Sequence, residues 1–270
     1  DIETDPVTQA SLGDSCVVLS GGDVSISATA DNSAHAYSAG LSVSTGIAVG
    51  STNALLAHDG EVSATVGDGT KVTADALRIK SNAESDFLLT SEACSGALLA
   101  GITGSYSGLD DTIEVTSALG AGSEVKVNTF ELNAKNNHVF DSSSDSVTIG
   151  LGAGGAAVVE NTLSSSSNAL VGNNALVEAE AIIINATNKA DKSKYSNQNN
   201  VNAASASAAS ATALSSTTTF GTDTDPFTAR VAVGDGAELI AIGNYLNPAR
   251  LDIASFIDIN GFDKVSVEGI

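Results

Sequence analysis

Histidines are the side chains in this chain best suited to metal binding or general-base catalysis, so their spacing is tested first. His35, His58 and His138 lie far apart, and none belongs to an H-x-x-x-H pair or has a cysteine partner. Zinc sites and proton transfer need such groups to converge. We therefore expect surface or turn positions for all three, with no catalytic residue and no metal ligand among them.

Carboxylates could hydrolyse or cleave a polysaccharide if several were grouped on one face. The sequence has 32 acidic residues, but they are scattered, and the closest pair is Asp110 and Asp111 within GLDDTIEV. We interpret that pair as a corner between strands. A grouping formed across strands is invisible in a linear sequence, so a carbohydrate-active β-helix enzyme of the lyase or hydrolase type stays open as an alternative function.

Two short motifs resemble catalytic or cofactor signatures. GLGAGG at 150–155 satisfies G-x-G-x-x-G after the strand-like DSVTI. The corresponding places elsewhere hold TGIAVG at 45–50 and SGALLAG at 95–101, so a run of small residues explains all three. GSYSG at 104–108 does not centre its serine as a nucleophile elbow does. Neither motif predicts a site, and no cofactor is expected.

Gly-Asp-Gly turns in an acidic chain raise the possibility of a calcium-binding site. Asp68 and Asp235 occupy such turns, but Ala121 and Asn173 stand at the equivalent places, and the tandem G-G-x-G-x-D calcium repeat is missing. Glycine in these turns needs only its conformational freedom. We predict no dedicated metal site, with adventitious calcium at an acidic corner left open.

Net charge limits the partners. The formal charge is −21, and the densest basic group, Lys189, Lys192 and Lys194, is interrupted by Asp191. Nucleic acids and anionic membrane surfaces are bound through Lys and Arg, so we expect neither as a partner. No window has the roughly 18 to 20 apolar residues of a membrane helix, and no membrane insertion is expected. The polar start, DIETDPVTQA, shows no signal peptide.

The elements that must position these residues follow from an internal repeat. One phrase, an aliphatic residue and glycine followed by alternating aliphatics, recurs five times at a spacing of about 53 residues. The copy at 66–81 aligns with 119–134 and 171–186, and more loosely with 12–28 and 233–255, where an insertion includes GNYLNPA. TDPVTQASLGD at 4–14 is echoed by TDPFTARVAVGD at 224–235.

Alternation within the phrases, as in TKVTA and EVKVN, predicts strands with one inward face. Alanine and serine alternate at 34–54 and 202–219, which predicts strands with small inward groups, although a helix is an alternative for 202–219. Aromatics are only 4% of the chain, so the core must be aliphatic and thin.

We predict an all-β fold, a right-handed parallel β-helix (solenoid) with about two rungs per repeat of about 53 residues, ten rungs in total and a length of roughly 50 Å. A β-sandwich is the competing fold. The chain is expected to be one β-solenoid segment of a longer chain or fibre, with repeats at approximately 1–60, 61–114, 115–165, 166–226 and 227–270. On this geometry Cys16 and Cys94 lie three rungs, or roughly 14 Å, apart, too far for a disulfide.

The alternation of GDVSISATADNSAHAYSAG with VGDGxxVxAxxLxIxAxN units resembles the repeat regions of filamentous-haemagglutinin-type adhesins, including the leukotoxin-like filamentous adhesins. The resemblance spans essentially the whole chain, and it is a pattern of small and aliphatic residues without a diagnostic motif. It implies a right-handed parallel β-helix that serves as stalk, fibre or adhesive surface of a bacterial exoprotein, with no catalytic residue to carry over.

The expected function is therefore structural and adhesive: a segment of a secreted or cell-surface filament that gives a rigid stalk or fibre. Expected partners are further copies joined end to end, and a host-cell, glycan or neighbouring-cell surface. The carbohydrate-active enzyme and an ice-binding solenoid are the other two functional classes considered. Ice binding requires threonines in ranks, whereas TTT at 217–219 is a local run.

Overall fold

The chain is all β in a computed structural model that describes residues 1–192, 201–222, 224–243 and 248–260. Long strands with alternating burial dominate these residues, as the alternating sequence predicts. No helix in these ranges has the length and apolar character needed to cross a membrane. The fifteen strands are β1 Ile2–Thr4, β2 Val7–Leu12, β3 Val17–Leu19, β4 Asp23–Ser44, β5 Ile47–Val66, β6 Lys71–Ala97, β7 Ala100–Leu119, β8 Glu124–Ile149, β9 Gly152–Val171, β10 Leu176–Asp191, β11 Val201–Ala206, β12 Ala209–Phe220, β13 Thr228–Val233, β14 Glu238–Ala241 and β15 Arg250–Asn260.

The strands form two sheets in which every pairing is parallel. Sheet A contains β1, β2, β5, β7, β9, β12 and β13, and sheet B contains β3, β4, β6, β8, β10, β11, β14 and β15. Through the middle of the chain successive strands alternate between the sheets, so that each pairs with the strand one repeat away. The aliphatic faces of the two sheets share one buried core. The stretch at 202–219 lies mostly in β11 and β12, so the strand interpretation of it is correct.

The register confirms the repeat alignment residue by residue. Leu77 pairs with Phe130, which pairs with Ile182, and Ile182 pairs with Leu251. Upstream, Val24 pairs with Leu77. Residues at one position in successive strands therefore form a rank that crosses the sheet, and the aliphatic positions conserved between repeats form the inward ranks.

The prediction of two rungs per repeat is wrong. In a coil of that kind each residue would pair with one about 26 positions away, whereas Lys71 lies beside Glu124, 53 residues later. The aliphatic phrase and the small-residue stretch are the two ends of the same long strand. Each sheet thus advances by one strand per repeat, and five strands stacked at about 4.8 Å give a height of only ~20 Å, while strands of 20 to 27 residues extend for roughly 65–90 Å.

Five short corners that begin with glycine connect sheet A back to sheet B, and we call them glycine corners: 13–16, 67–70, 120–123, 172–175 and 234–237. A Cβ atom on Gly120 would lie 2.5 Å from the carbonyl carbon of Gly67, so the backbones approach too closely for any other residue. The third position of each corner has positive φ, as at Gly122 (63°) and Asn174 (55°). Stacking of the corners explains why the first glycine recurs in every repeat.

The core changes character along the strands. Near the glycine corners the core is apolar, and Leu77, Phe130 and Ile182 are completely buried there. Toward the opposite edge, hydroxyls join the sheets, with Ser105 Oγ 2.6 Å from Ser144 Oγ. The sheets are close there, because a Cβ on Gly101 would lie 2.7 Å from the Thr148 methyl group. Small residues in this half are therefore required by the narrow gap between the sheets.

Candidate functional site

Two histidines and an aspartate meet inside the protein, contrary to the sequence-based expectation. His58 on β5 and Asp111 on β7 are register partners in sheet A, and His58 Nδ1 lies 2.7 Å from Asp111 Oδ1. His138 on β8 faces them from sheet B, with Nδ1 2.5 Å from Asp111 Oδ2. We call these three residues the histidine cluster.

Burial and charge act in opposite directions on the aspartate of the histidine cluster. Asp111 is fully buried, and loss of water by itself raises the pKa of its carboxyl group. The charge and close contact of His138, and then the hydrogen bond and charge of His58, outweigh that effect and lower the pKa of Asp111 from 3.8 to about 2. Asp111 is therefore a buried carboxylate held in its charged form by two imidazoles.

A chain of amides extends the histidine cluster toward the later repeats. The Asn136 amide contacts His138 Nε2 and donates to Asn188 Oδ1 at 3.2 Å. Asn188 in turn donates to the carbonyl oxygens of Ser165 and Thr228 at 3.0 Å. These contacts tie sheet A to sheet B across three repeats, at a level between the main apolar core and a second buried cluster that includes Leu56, Phe87 and Phe140.

The histidine cluster is suited to holding the sheets together and not to turnover. Each of its three residues is at most 3% exposed. The ring of His58 packs on the ring of Phe87, with centroids 5.1 Å apart. A substrate has no access to the imidazoles. The prediction of surface or turn positions is wrong for His58 and His138, and the corner assigned to Asp111 is the interior of a strand; His35 is exposed, as predicted.

Carboxylates do gather on the outer face of sheet A. An open groove of about 530 Å³ is lined by Asp5, Asp59, Glu61, Glu114 and Asp225, with serines and threonines between them. Glu61 and Glu114 are register partners on β5 and β7, while Asp5 and Asp225 lie at the two TDP motifs. We call this the acidic groove. The sequence concealed this groove because its five carboxylates come from four different levels of sheet A: Asp5 before β2, Asp59 and Glu61 on β5, Glu114 on β7, and Asp225 before β13.

The motifs that resemble cofactor or nucleophile signatures are parts of strands. GLGAGG begins at the corner after β8 and continues into β9, where Gly155 faces Ser146 so closely that a Cβ would lie 2.8 Å from its hydroxyl. No helix follows it, as a phosphate-binding loop would require. GSYSG lies within β7, where the Tyr106 hydroxyl donates to Glu160. Both serve packing.

The polar residues of the glycine corners bind the neighbouring backbone. Asp68 Oδ1 accepts a hydrogen bond of 2.7 Å from the Ala121 N–H, and Asn173 Oδ1 accepts one of 2.9 Å from the Asp235 N–H. Asp14 Oδ1 likewise accepts a hydrogen bond from the Asp68 N–H. Among the described residues, no group of three or more His, Cys, Asp or Glu side chains is arranged to hold a metal ion.

The cysteines are not joined, but the predicted reason is wrong. Cys16 and Cys94 are both free. Cys16 lies in the first glycine corner, whereas Cys94 lies near the far end of β6, roughly 80 Å of extended strand from the second corner. Separation along the strands, and not a gap of three rungs, keeps them apart.

The basic group and the threonine run do not form extended ranked surfaces. Lys189 pairs with Asp258 at 3.0 Å, Lys192 is buried, and Lys194 lies outside the described residues. Thr217 and Thr218 pair in register with Glu160 and Asn161. Thr219 pairs with Thr162, but the next residue of that rank is Asp110, so the threonine rank is only two strands wide there.

The comparisons with known proteins give no relative. No protein-family model matches the chain, and neither a curated protein nor a solved structure does.

Proposed function

We propose that this chain is a structural and adhesive segment of a bacterial extracellular or cell-surface filament, folded as a right-handed parallel β-helix. Support for the handedness comes from the connections, because parallel strands of one sheet joined through another layer cross over right-handedly in nearly all proteins. The resemblance to filamentous-haemagglutinin-type repeats supports the extracellular setting.

One observation carries the proposal: the inward-facing side chains of β15, the last described strand of sheet B, are exposed. Leu251 and Ile253 on β15 are 54% and 45% exposed, whereas Ile182 and Ile184, their partners in β10, are completely buried. Among the described residues β15 pairs with β10 alone, and a strand edge without a second partner is a template for another strand. Further repeats, or the first strands of another copy, would complete it.

The first repeat has the complementary edge. Val24 and Ile26 on β4 begin the same ranks that end at Leu251 and Ile253. The TDP motifs also lie at the two ends of sheet A, each just before an end strand, β2 or β13, and Val7 of β2 begins the rank that ends at Thr228 of β13. Copies can therefore stack end to end without a change of register, which yields a rigid fibre.

Electron microscopy and sedimentation of the purified chain test this proposal. The wild type should form fibres or end-to-end oligomers, and Leu251→Asp combined with Ile253→Asp should abolish them by placing charge in the open core. Ala254→Asp, on the outward face of the same strand, is the matched control and should leave assembly intact. A wild-type chain that stays monomeric at every concentration would contradict the proposal.

The acidic groove supports a second candidate, a carbohydrate-active enzyme. Glu61 and Glu114 are on adjacent strands, about 4.8 Å apart in backbone, and retaining glycosidases place two carboxyls about 5–5.5 Å apart. Four of the five carboxylates are exposed, however, whereas a general acid needs apolar surroundings. Release of reducing ends or unsaturated products from acidic and neutral polysaccharides would establish this activity, provided that Glu61→Gln abolishes it and Glu84→Gln, outside the groove, does not.

A further inference from the structure

A large apolar surface lies opposite the glycine corners. There the strands of sheet B end and those of sheet A begin, and outward-facing Leu, Ile and Val recur in residues 41–49, 94–102 and 147–154, which we call the apolar edge. Leu41, Val43 and Leu98 are 77%, 74% and 68% exposed, and Ile149 and Leu151 are also exposed. Monomeric proteins rarely leave more than about 300–600 Å² of apolar surface in one patch.

Charge is excluded from the same edge. Asp, Glu, Lys and Arg are absent from residues 32–58, 93–109, 146–159 and 201–222, and the described parts of these stretches meet at this edge. The net charge of −21 therefore lies on the remainder of the molecule. Glu92 and Asp145 are the carboxylates that approach the edge most closely along β6 and β8, and five to six extended residues separate each from the corner, roughly 17–20 Å.

The shape of the apolar edge is complementary to the same surface on a second copy of the chain. Neighbouring positions alternate in size, since Val43, Gly96 and Ile149 form one outward rank and Val49, Ile102 and Gly154 another. Large side chains stand beside glycines, so two such surfaces can interdigitate at the packing density of a protein interior. Ten large apolar side chains of the edge are 40–77% exposed, which together is of the order of the roughly 800 Å² per partner that a stable interface buries.

The distribution of charge favours a second copy of this chain as the partner that covers the apolar edge. A chain of charge −21 repels its own copies through most of its surface, but a contact centred on the corners of the apolar edge keeps Glu92 and Asp145 roughly 17–20 Å from the centre of the contact, beyond the ~8 Å screening length at physiological salt. The edge has no Lys or Arg and the chain no Trp, the residues that anchor proteins at lipid surfaces.

We propose that the apolar edge joins two copies of this chain side by side, in a contact separate from end-to-end stacking. In a fibre, every repeat would add to the same edge, so filaments would pair laterally. The contact does not depend on the fibre, because one chain already carries the complete surface.

Sedimentation equilibrium of the Leu251→Asp/Ile253→Asp chain, in which the open end is blocked, tests the proposal across a dilution series. We expect a dimer of twice 26.8 kDa that dissociates at least tenfold more readily after Leu98→Asn and Leu99→Asn. Val17→Thr and Leu19→Asn, equally exposed positions near the glycine corner, are the matched control and should leave the dimer unchanged. A blocked chain that remains monomeric, or a dimer that only the control variant weakens, would overturn the proposal.

Cys94 provides a second readout, because it shares an outward rank with Leu41 and Val147. Its alkylation rate should fall severalfold between dilute and concentrated protein, while that of Cys16 should not. A concentration-independent Cys94 rate would overturn the assignment. Binding of the monomer to neutral phosphatidylcholine vesicles in place of dimer formation would do so as well, since the edge would then face lipid.

Discussion

His58 and Asp111 are 53 residues apart in sequence and adjacent in space, joined by a 2.7 Å contact inside the protein. One repeat separates them, and the parallel register places them in the same inward rank. His138 completes the arrangement from the opposite sheet. A carboxylate thus lies within a core whose other inward ranks are mainly apolar or hydroxylated, and its removal has predictable consequences.

Asp111→Asn should destabilise the fold by about 1–3 kcal/mol, because the buried imidazole nitrogens of His58 and His138 would lose their carboxylate partner. Asp110→Asn, the exposed neighbour on the same strand, should change the free energy of unfolding by less than about 0.5 kcal/mol. Urea unfolding followed by circular dichroism measures both. Equal effects of the two substitutions would show that the histidine cluster contributes nothing.

Acid should remove part of the stability. The pKa of Asp111 is lowered to about 2 in the folded chain from an ordinary 3.8, so its contribution is present above pH 3.8 and is lost as the pH falls toward 2. The shift corresponds to about 2 kcal/mol. Unfolding free energies measured between pH 5 and pH 2 should show this loss in the wild type, and a smaller loss in Asp111→Asn.

Gly120→Ala should destabilise by about 1–3 kcal/mol or more, because its new Cβ would overlap backbone atoms of the preceding glycine corner. Gly104→Ala is the control: it lies in β7, where a Cβ would meet nothing within 4 Å. Thermal unfolding distinguishes the two. A similar melting temperature for both variants would mean that the corners do not stack as described.

Ala121→Asn should stabilise the protein by about 0.5–1.5 kcal/mol, the net value of one hydrogen bond. It restores the acceptor that Asp68 and Asn173 supply in the neighbouring corners. Asp68→Ala should cost a similar amount, and Asp235→Ala, in the last corner, should cost less. Denaturant midpoints measure the series, and a destabilised Ala121→Asn would contradict the proposed role of these side chains.

Much of the fold follows from the sequence. Val72, Leu77 and Ile79 align with residues 53 positions later, and the structure pairs the same residues, because a period-two pattern permits only one face to be buried and any slip of register would expose it. The same offset already placed His58 beside Asp111, so two of the three residues of the histidine cluster could be read from the repeat.

The sequence did not reveal how many strands each repeat contains. Short and long strands both alternate with period two, so the alternation does not give their length. The positions of His138 and of the acidic-groove residues depend on the number of strands per repeat. His138 faces Asp111 across the two sheets, and the groove carboxylates converge from four levels of sheet A. The sequence by itself determined which residues lie in a common rank, since local alternation and repeat length set the register. Only the tertiary structure decided which ranks face each other and which edge remains apolar, because those relationships depend on where the chain turns from one sheet to the other.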